Sequence, residues 1–353
     1  MSHPLFELSQ GKEVRQAAAF RKAAAELAGE ALAVAFEKEK AGAPRLHEAG
    51  RRYFVKRSGK PAAERRRNRD GEHLGAALIR QCRSSGEGIA LPGGEGRLDL
   101  LDYHIRVKAA AADDPATKGI NRIDLLGISG ERLCVVKLRY LEPTATRCGV
   151  GDTPLRAMLE GLAYTAIAAA NASAIGEEAS ERFGRRIGDE PPLLVLLASP
   201  RYWELCRKRE AQKGAAWIKE LERLAQDIEQ HSGVGVRYAS LQLEGDPGWS
   251  YDAEGPALDA PARLGAAWES TAGRVRPRAR PRSKKPAAAV DEVIQADLSR
   301  PVRSYALTES YSPGDRIAHP KLGNGVVQGT AGPGKIRVRF DGKKTLLVHE
   351  RPV

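Results

Sequence analysis

The stretch RIDLLGISGERLCVVKLRY, residues 122–140, restricts the fold of this chain more than any other. Two runs rich in Leu, Ile and Val flank a glycine-containing turn, which is the pattern of two neighbouring strands in a buried sheet. Asp124 sits in the first run, and Lys137 and Arg139 occupy alternate positions in the second, so the two bases share a face. Charge inside a sheet is costly unless it is paired or bound to something. Either the turn is displaced toward solvent or these residues carry chemistry.

The flanking segments supply the layers such a hairpin needs. LDLLDYHIRVKA before it alternates as a half-exposed strand. GDTPLRAMLEGLAYTAIAAANASA after it reads as a helix, with Thr153 at the N-cap and Pro154 at the first helical position. PPLLVLLASP is a short continuous apolar run, the mark of a central strand covered on both faces. WIKELERLAQDIEQHS is an amphipathic helix, and GVGVRYASLQLEG is a further strand. Upstream, DGEHLGAALIRQC predicts a helix with Asp70 at its N-cap, and residues 12–40 predict an Ala-rich helix interrupted near Gly29. Together these elements predict an α/β fold, a mixed sheet flanked by helices.

Composition then divides the chain. Residues 1–70 read as a helical and basic region, with the base-dense RRYFVKRSGKPAAERRRNR as a solvated loop or helix edge, and residues 71–264 hold the sheet domain. From 265 to 310, GRVRPRARPRSKKPAAA and its neighbours carry much Arg, Lys and Pro but little apolar surface to offset ordering. They read as a disordered basic linker. In residues 311–353, RIAH, GVVQG, KIRVRF and KTLLVH are short alternating runs punctuated by Gly and Pro, which predict about five strands in a small all-β barrel.

The formal charge of +12 favours a polyanionic partner. With aromatic residues at 5%, the core must rest on Leu, Val, Ile and Ala. Cys82, Cys134, Cys148 and Cys206 form no CxxC pair and lack histidines at ligand spacing, against a structural zinc site. No apolar run approaches a membrane span, and MSHPLFELSQGKE has no signal-like apolar region, so a reduced cytoplasmic location is expected.

The order of elements and the hairpin together resemble the PD-(D/E)xK nuclease superfamily, particularly its RecB-like branch. In that family a strand aspartate is followed on the next strand by an acid-x-Lys pair, and the carboxylates hold a divalent metal. The resemblance implies Asp124 as the first acid, Leu138 as the spacer of the pair, and Glu72 on the first core helix as an additional acid. Glu160 and Tyr164 stand at the spacing of the RecB-like Q-x-x-x-Y signature, one helical turn apart. The implied cofactor is Mg2+, held by Asp124, Glu160 and Glu72, and the implied substrate is DNA. Lys137 stands where the family carries its acid, and Arg139 where it carries lysine. An ammonium there removes one ligand charge and adds a repelling one. Arg139 is a poor base but can grip a phosphate with a bidentate fork. Asp99, Asp102 and His104 are spare candidates on the preceding strand, Asp102 and His104 sharing a face, whereas Lys108 and Lys118 read as surface charge. The competing interpretation of Asp124 and Lys137 is a plain cross-strand salt bridge.

GDRIAHPKLGNGVVQGTAGPGKIRVRFDGKKTLLVH resembles the SH3/Tudor-like module at the C-terminus of UvrD-type helicases and, more distantly, CarD-like modules that contact RNA polymerase. The resemblance rests on Gly314-Asp315-Arg316, His319-Pro320-Lys321, Gly323, Gly325, Val338-x-Phe340 and Lys344-Thr345-Leu346. It implies a docking module, with Asp315, Arg316, His319, Lys321, Phe340 and Lys344 as its site residues and RNA polymerase or a repair protein as its partner. The expected function is that of a nuclease-fold DNA-binding protein, degenerate at its catalytic motif, in DNA repair or transcription-linked DNA maintenance. The alternatives are an active Mg2+-dependent DNA nuclease, in which Lys137 steadies the attacking hydroxide or the phosphate, and a non-enzymatic adaptor associated with RNA polymerase.

Overall fold

A computed structural model describes residues 3–55, 61–108, 120–209, 215–269 and 293–350. The chain forms two compact units, residues 1–277 and 278–353.

The first unit opens with four short helices, α1 (Pro4–Ser9), α2 (Lys12–Arg15), α3 (Phe20–Glu26) and α4 (Gly29–Ala41). The single helix expected over 12–40 is thus broken twice. The second break has a visible cause: a Cβ on Gly29 would lie 2.1 Å from the Asp227 Cβ, and Arg223 Nη2 donates to the Ala24 and Leu27 carbonyls that end α3. Both contacts come from the helix on which these turns pack.

Then follow α5 (Asp70–Ser85), β1 (Ile89–Ala90), β2 (Arg97–Arg106), β3 (Arg122–Ser129), β4 (Arg132–Arg139), α6 (Pro154–Ala170), α7 (Ala172–Phe183), β5 (Leu193–Ala198), α8 (Pro200–Arg209), α9 (Trp217–Ser232), β6 (Gly235–Gln242), β7 (Trp249–Asp252), β8 (Gly255–Leu258) and β9 (Arg263–Ala266). Seven strands form one sheet in the order β1-β2-β3-β4-β5-β6-β9, while β7 and β8 pair with each other. The β1 to β4 neighbours are antiparallel, β5 is parallel to both β4 and β6, and β9 closes the sheet antiparallel to β6. All six residues of β5 are buried, as expected of a central strand.

Alternation along the strands feeds two cores. Leu133, Val135, Leu194 and Leu196 face α6, α9 and the N-terminal helices, with Leu5, Phe20, Leu32 and Phe36 in the same apolar layer. Cys134, Val136, Leu193 and Val195 face the other side, where Leu74 and Leu78 of α5 and Trp249 of β7 cover them. The N-terminal helices are therefore part of the sheet's own core. Thr153 caps α6, accepting from the Arg156 amide at 3.2 Å, with Pro154 behind it as expected. Asp70 does not cap α5. It is the first residue of the helix, and Arg65 takes both of its carboxylate oxygens at 2.9 and 2.8 Å.

The second unit holds β10 (Arg303–Ser304), β11 (Arg316–His319), β12 (Gly323–Gly332), β13 (Lys335–Phe340) and β14 (Lys343–Val348), one sheet in sequential order. Its core is Tyr311, Ile317, Val327, Ile336, Val338, Phe340 and Leu347. Gly325 is required by packing, because a Cβ would stand 2.5 Å from the Phe340 ring. Order begins before residue 311: β10 pairs in parallel with β11, and Arg300 Nη1 reaches Asp315 Oδ1 at 2.7 Å. The basic linker therefore ends earlier than its composition implied, and its centre, residues 270–292, lies outside the described residues.

Candidate functional site

The Leu125–Val136 pair sets the register of β3 against β4, so Asp124 stands opposite Lys137, with Arg139 two residues further along the same face. α6 crosses that face and turns Glu160 and Tyr164 inward; both are buried. Five sequence candidates thus meet. Lys137 Nζ lies 3.2 Å from Asp124 Oδ2 and 3.5 Å from Glu160 Oε2, and 5.3 Å from the centre of the Tyr164 ring. Arg139 Nη2 donates to Glu160 Oε2 at 2.9 Å, and its Nη1 stands 3.9 Å from Asp124 Oδ2.

Two further residues complete the cluster. Asp152 Oδ1 accepts from Arg139 Nε at 3.0 Å, and Arg156 Nε donates to Glu160 Oε1 at 2.8 Å. Arg156 was not among the sequence candidates; it precedes Glu160 by four residues, and that helical spacing is the signal by which it could have been found. Asp152 lies in the loop ahead of the α6 cap and left no such trace. Asp124, Asp152 and Glu160 balance Lys137, Arg139 and Arg156, and the network is formally neutral.

Position explains the protonation states. Burial alone would raise the Glu160 carboxyl, but Lys137, Arg139 and Arg156 outweigh it and hold it below the usual range. Burial likewise works against the Arg139 charge, yet Asp152, Asp124 and Glu160 raise its pKa. The Tyr164 phenol is pushed up to about 12 by burial, and its oxygen accepts from the Asn121 amide at 3.2 Å. Asp124 also has a backbone task, since its Oδ2 accepts the Leu138 amide at 3.0 Å, standing in for a strand carbonyl.

The donor set does not suit a divalent cation. Mg2+ needs oxygens free to point at one centre. Here Asp124 Oδ2 and both Glu160 oxygens already accept from cations, and an ammonium stands between the two carboxylates. Among the described residues, no group of three or more His, Cys, Asp or Glu side chains is arranged to hold a metal ion. Glu72 is not part of the cluster. It is on α5, whose apolar residues cover the opposite face, and Arg69 holds it at 2.7 and 2.8 Å, with His104 Nδ1 at 3.9 Å.

The spare candidates scatter as well. Asp99 pairs with Arg185 at 2.8 Å, and Asp102 is buried beside a register shift that inserts Leu101. His104 has φ 47°, so the simple alternation expected of Asp102 and His104 does not hold. Lys118 lies outside the described residues.

In the second unit, Asp315 is buried. Its Oδ2 accepts the Ser312 amide at 2.9 Å, and those bonds, with Arg300, outweigh burial and keep its pKa low. Phe340 is core. His319 lies 5.0 Å from the Tyr305 ring and accepts the Lys321 amide at 3.1 Å. Lys321 and Lys344 are exposed and Arg316 is half-buried, so the charged edge of this group is what a partner can reach. No family model, curated protein or solved structure matches the chain. Among the described residues, no helix is long and apolar enough to cross a membrane.

Proposed function

We propose that the first unit is a nuclease-like scaffold that binds DNA without cutting it, and that the second unit docks a protein partner such as RNA polymerase or a repair protein. The observation that carries this reading is the Lys137 ammonium, 3.2 Å from Asp124 and 3.5 Å from Glu160. It occupies the place between two carboxylates that a metal-dependent phosphodiesterase keeps for its cation. The sheet supports the ancestry, with three antiparallel strands, a helix, and then a strand parallel to the third. In this reading the retained charges lock the β3–β4 hairpin to α6 and orient no attacking water. The net charge of +12 supplies the attraction to a phosphate chain.

The test combines cutting and binding. Purified protein is incubated with supercoiled, linear and single-stranded DNA in Mg2+, in Mn2+ and in chelator, beside a binding titration over a salt series. Salt-sensitive binding with no cleavage in any metal is the expected result. Metal-dependent cleavage that disappears in Asp124→Ala would overturn the non-cutting assignment and make Lys137 a working active-site residue.

A further inference from the structure

A wide groove runs between residues 61–69, α5 and the β7–β8 hairpin, with a cavity volume of about 1280 Å³. The hairpin and the 61–69 segment meet closely at one point, where a Cβ on Gly255 would stand 3.1 Å from Pro61 Cβ. Arg66, Arg69, Arg80, Arg83 and Arg182 line the groove against Glu64, Glu72 and Glu254. Two of the arginines are neutralised, Arg69 by Glu72 and Arg80 by Asp252 and Glu254. The other three are exposed, and among the described residues no carboxylate pairs with them.

Two of the three are nonetheless held in place. Arg83 and Arg182 lie over the same Phe183 ring, at 5.5 and 5.4 Å from its centre, and each donates to a main-chain carbonyl, of Leu101 and Phe54 respectively. Two like charges held on one ring repel each other, weakly where water screens them, and an anion bound between them or nearby would relieve that repulsion. Each guanidinium has five N–H donors and spends only part of them on its carbonyl. The ring of Tyr103 also lines the groove, as does His73, whose Nδ1 is held by the Tyr251 hydroxyl at 2.7 Å. His73 is buried, so the half-buried Tyr103 ring is the aromatic surface the groove offers. A cationic groove with such a ring suits a single strand, whose phosphates follow the charge while a base stacks on the ring. A duplex would present its phosphates to the groove but keep its base faces stacked inside, out of reach of the ring.

We propose that this groove is the path of a single-stranded nucleic acid, with Arg66, Arg83 and Arg182 gripping its phosphates. The assignment rests on the DNA-binding reading above and locates it on the α5 side of the sheet, away from the Asp124–Glu160 cluster.

The test uses the full chain and a fluorescent oligothymidylate, with a duplex of equal length as the second arm. In one variant Arg66, Arg83 and Arg182 are changed to Gln, which keeps an amide donor for the Leu101 and Phe54 carbonyls. In a control, the exposed Lys22, Arg97 and Arg263 are changed to Gln. The groove variant is expected to bind the oligothymidylate at least about tenfold more weakly, with a salt slope shallower by about 2, at roughly 0.7 per lost phosphate contact. The control should shift affinity less than about threefold. Ultraviolet cross-linking of the unaltered chain should mark peptides within residues 61–103. Equal weakening of both variants, or cross-links confined to residues 270–292, would overturn the groove while leaving DNA binding intact. Stronger, groove-dependent binding of the duplex overturns the single-strand assignment. If the wild type binds neither probe, the groove and the DNA-binding reading fall together.

Discussion

On the α6 face of the sheet, three carboxylates and three cations lie within hydrogen-bonding or ion-pairing range and cancel; on the α5 side, three exposed guanidiniums share a groove with no carboxylate paired to them among the described residues. Burial accounts for the first arrangement. Glu160 and Lys137 are 8% and 9% exposed at the side chain, and an unmatched charge at that depth would oppose folding. Exposure permits the second, because water screens an excess that a core would reject. A sequence motif draws attention to the buried cluster, yet the available charge is in the groove. A neutral, fully engaged network is a poor place to look for a ligand.

The comparison breaks if the cluster proves dispensable to folding. Glu160→Ala leaves three cations facing two carboxylates in a buried setting, and an expected loss of about 3 kcal/mol should appear as a lower urea midpoint. A change within experimental error would mean that water already solvates the network. Asp124→Ala removes both a cross-strand partner and the acceptor of the Leu138 amide, for an expected loss of about 2 kcal/mol. Asp124→Asn keeps an oxygen for that amide and should recover roughly half of it.

Acid sharpens the contrast. The folded state holds the Glu160 carboxyl below its usual range, so the unfolded chain binds that proton first as pH falls. The network's contribution is complete above about pH 4.3 and is lost as pH drops through the lower folded value. The stability gap between wild type and Glu160→Gln should therefore narrow between pH 5 and pH 3 (about one unit either side of that value) in urea titrations. The smallest effect belongs to the groove: changing Arg66, Arg83 and Arg182 to Gln should alter stability by no more than about 0.5 kcal/mol, while binding of a single strand falls.

Much of this was legible beforehand. The β3–β4 hairpin, the buried β5 strand, the Thr153–Pro154 start of α6 and the four strands β11 to β14 all follow from local pattern, because periodicity and capping depend on near neighbours. Alternation put Lys137 and Arg139 on one strand face, and one helical turn put Glu160 with Tyr164; that the two sets meet, with Asp124, was what the resemblance implied and not something periodicity gave. The interruption expected near Gly29 is there, between α3 and α4, but the break between α2 and α3, the β7–β8 hairpin and the closing strand β9 were not legible. What holds such features depends on partners far along the chain, as Arg223 and Asp227 do for the break at Gly29.

By itself, then, the sequence determined the alternation of helices and strands, the mixed sheet and the polarity of its faces, for these follow from side-chain period and burial. Only the tertiary structure decided which charges are consumed and which remain available. Asp152 and Arg156 close the network around Lys137, Glu72 turns away to Arg69, and Phe183 gathers Arg83 and Arg182 beside Arg66. Electrostatic pairing acts through space at a few ångströms, and folding brings charges that close from far apart in the chain, as with Arg80 and Asp252, 172 positions apart and 2.7 Å from each other.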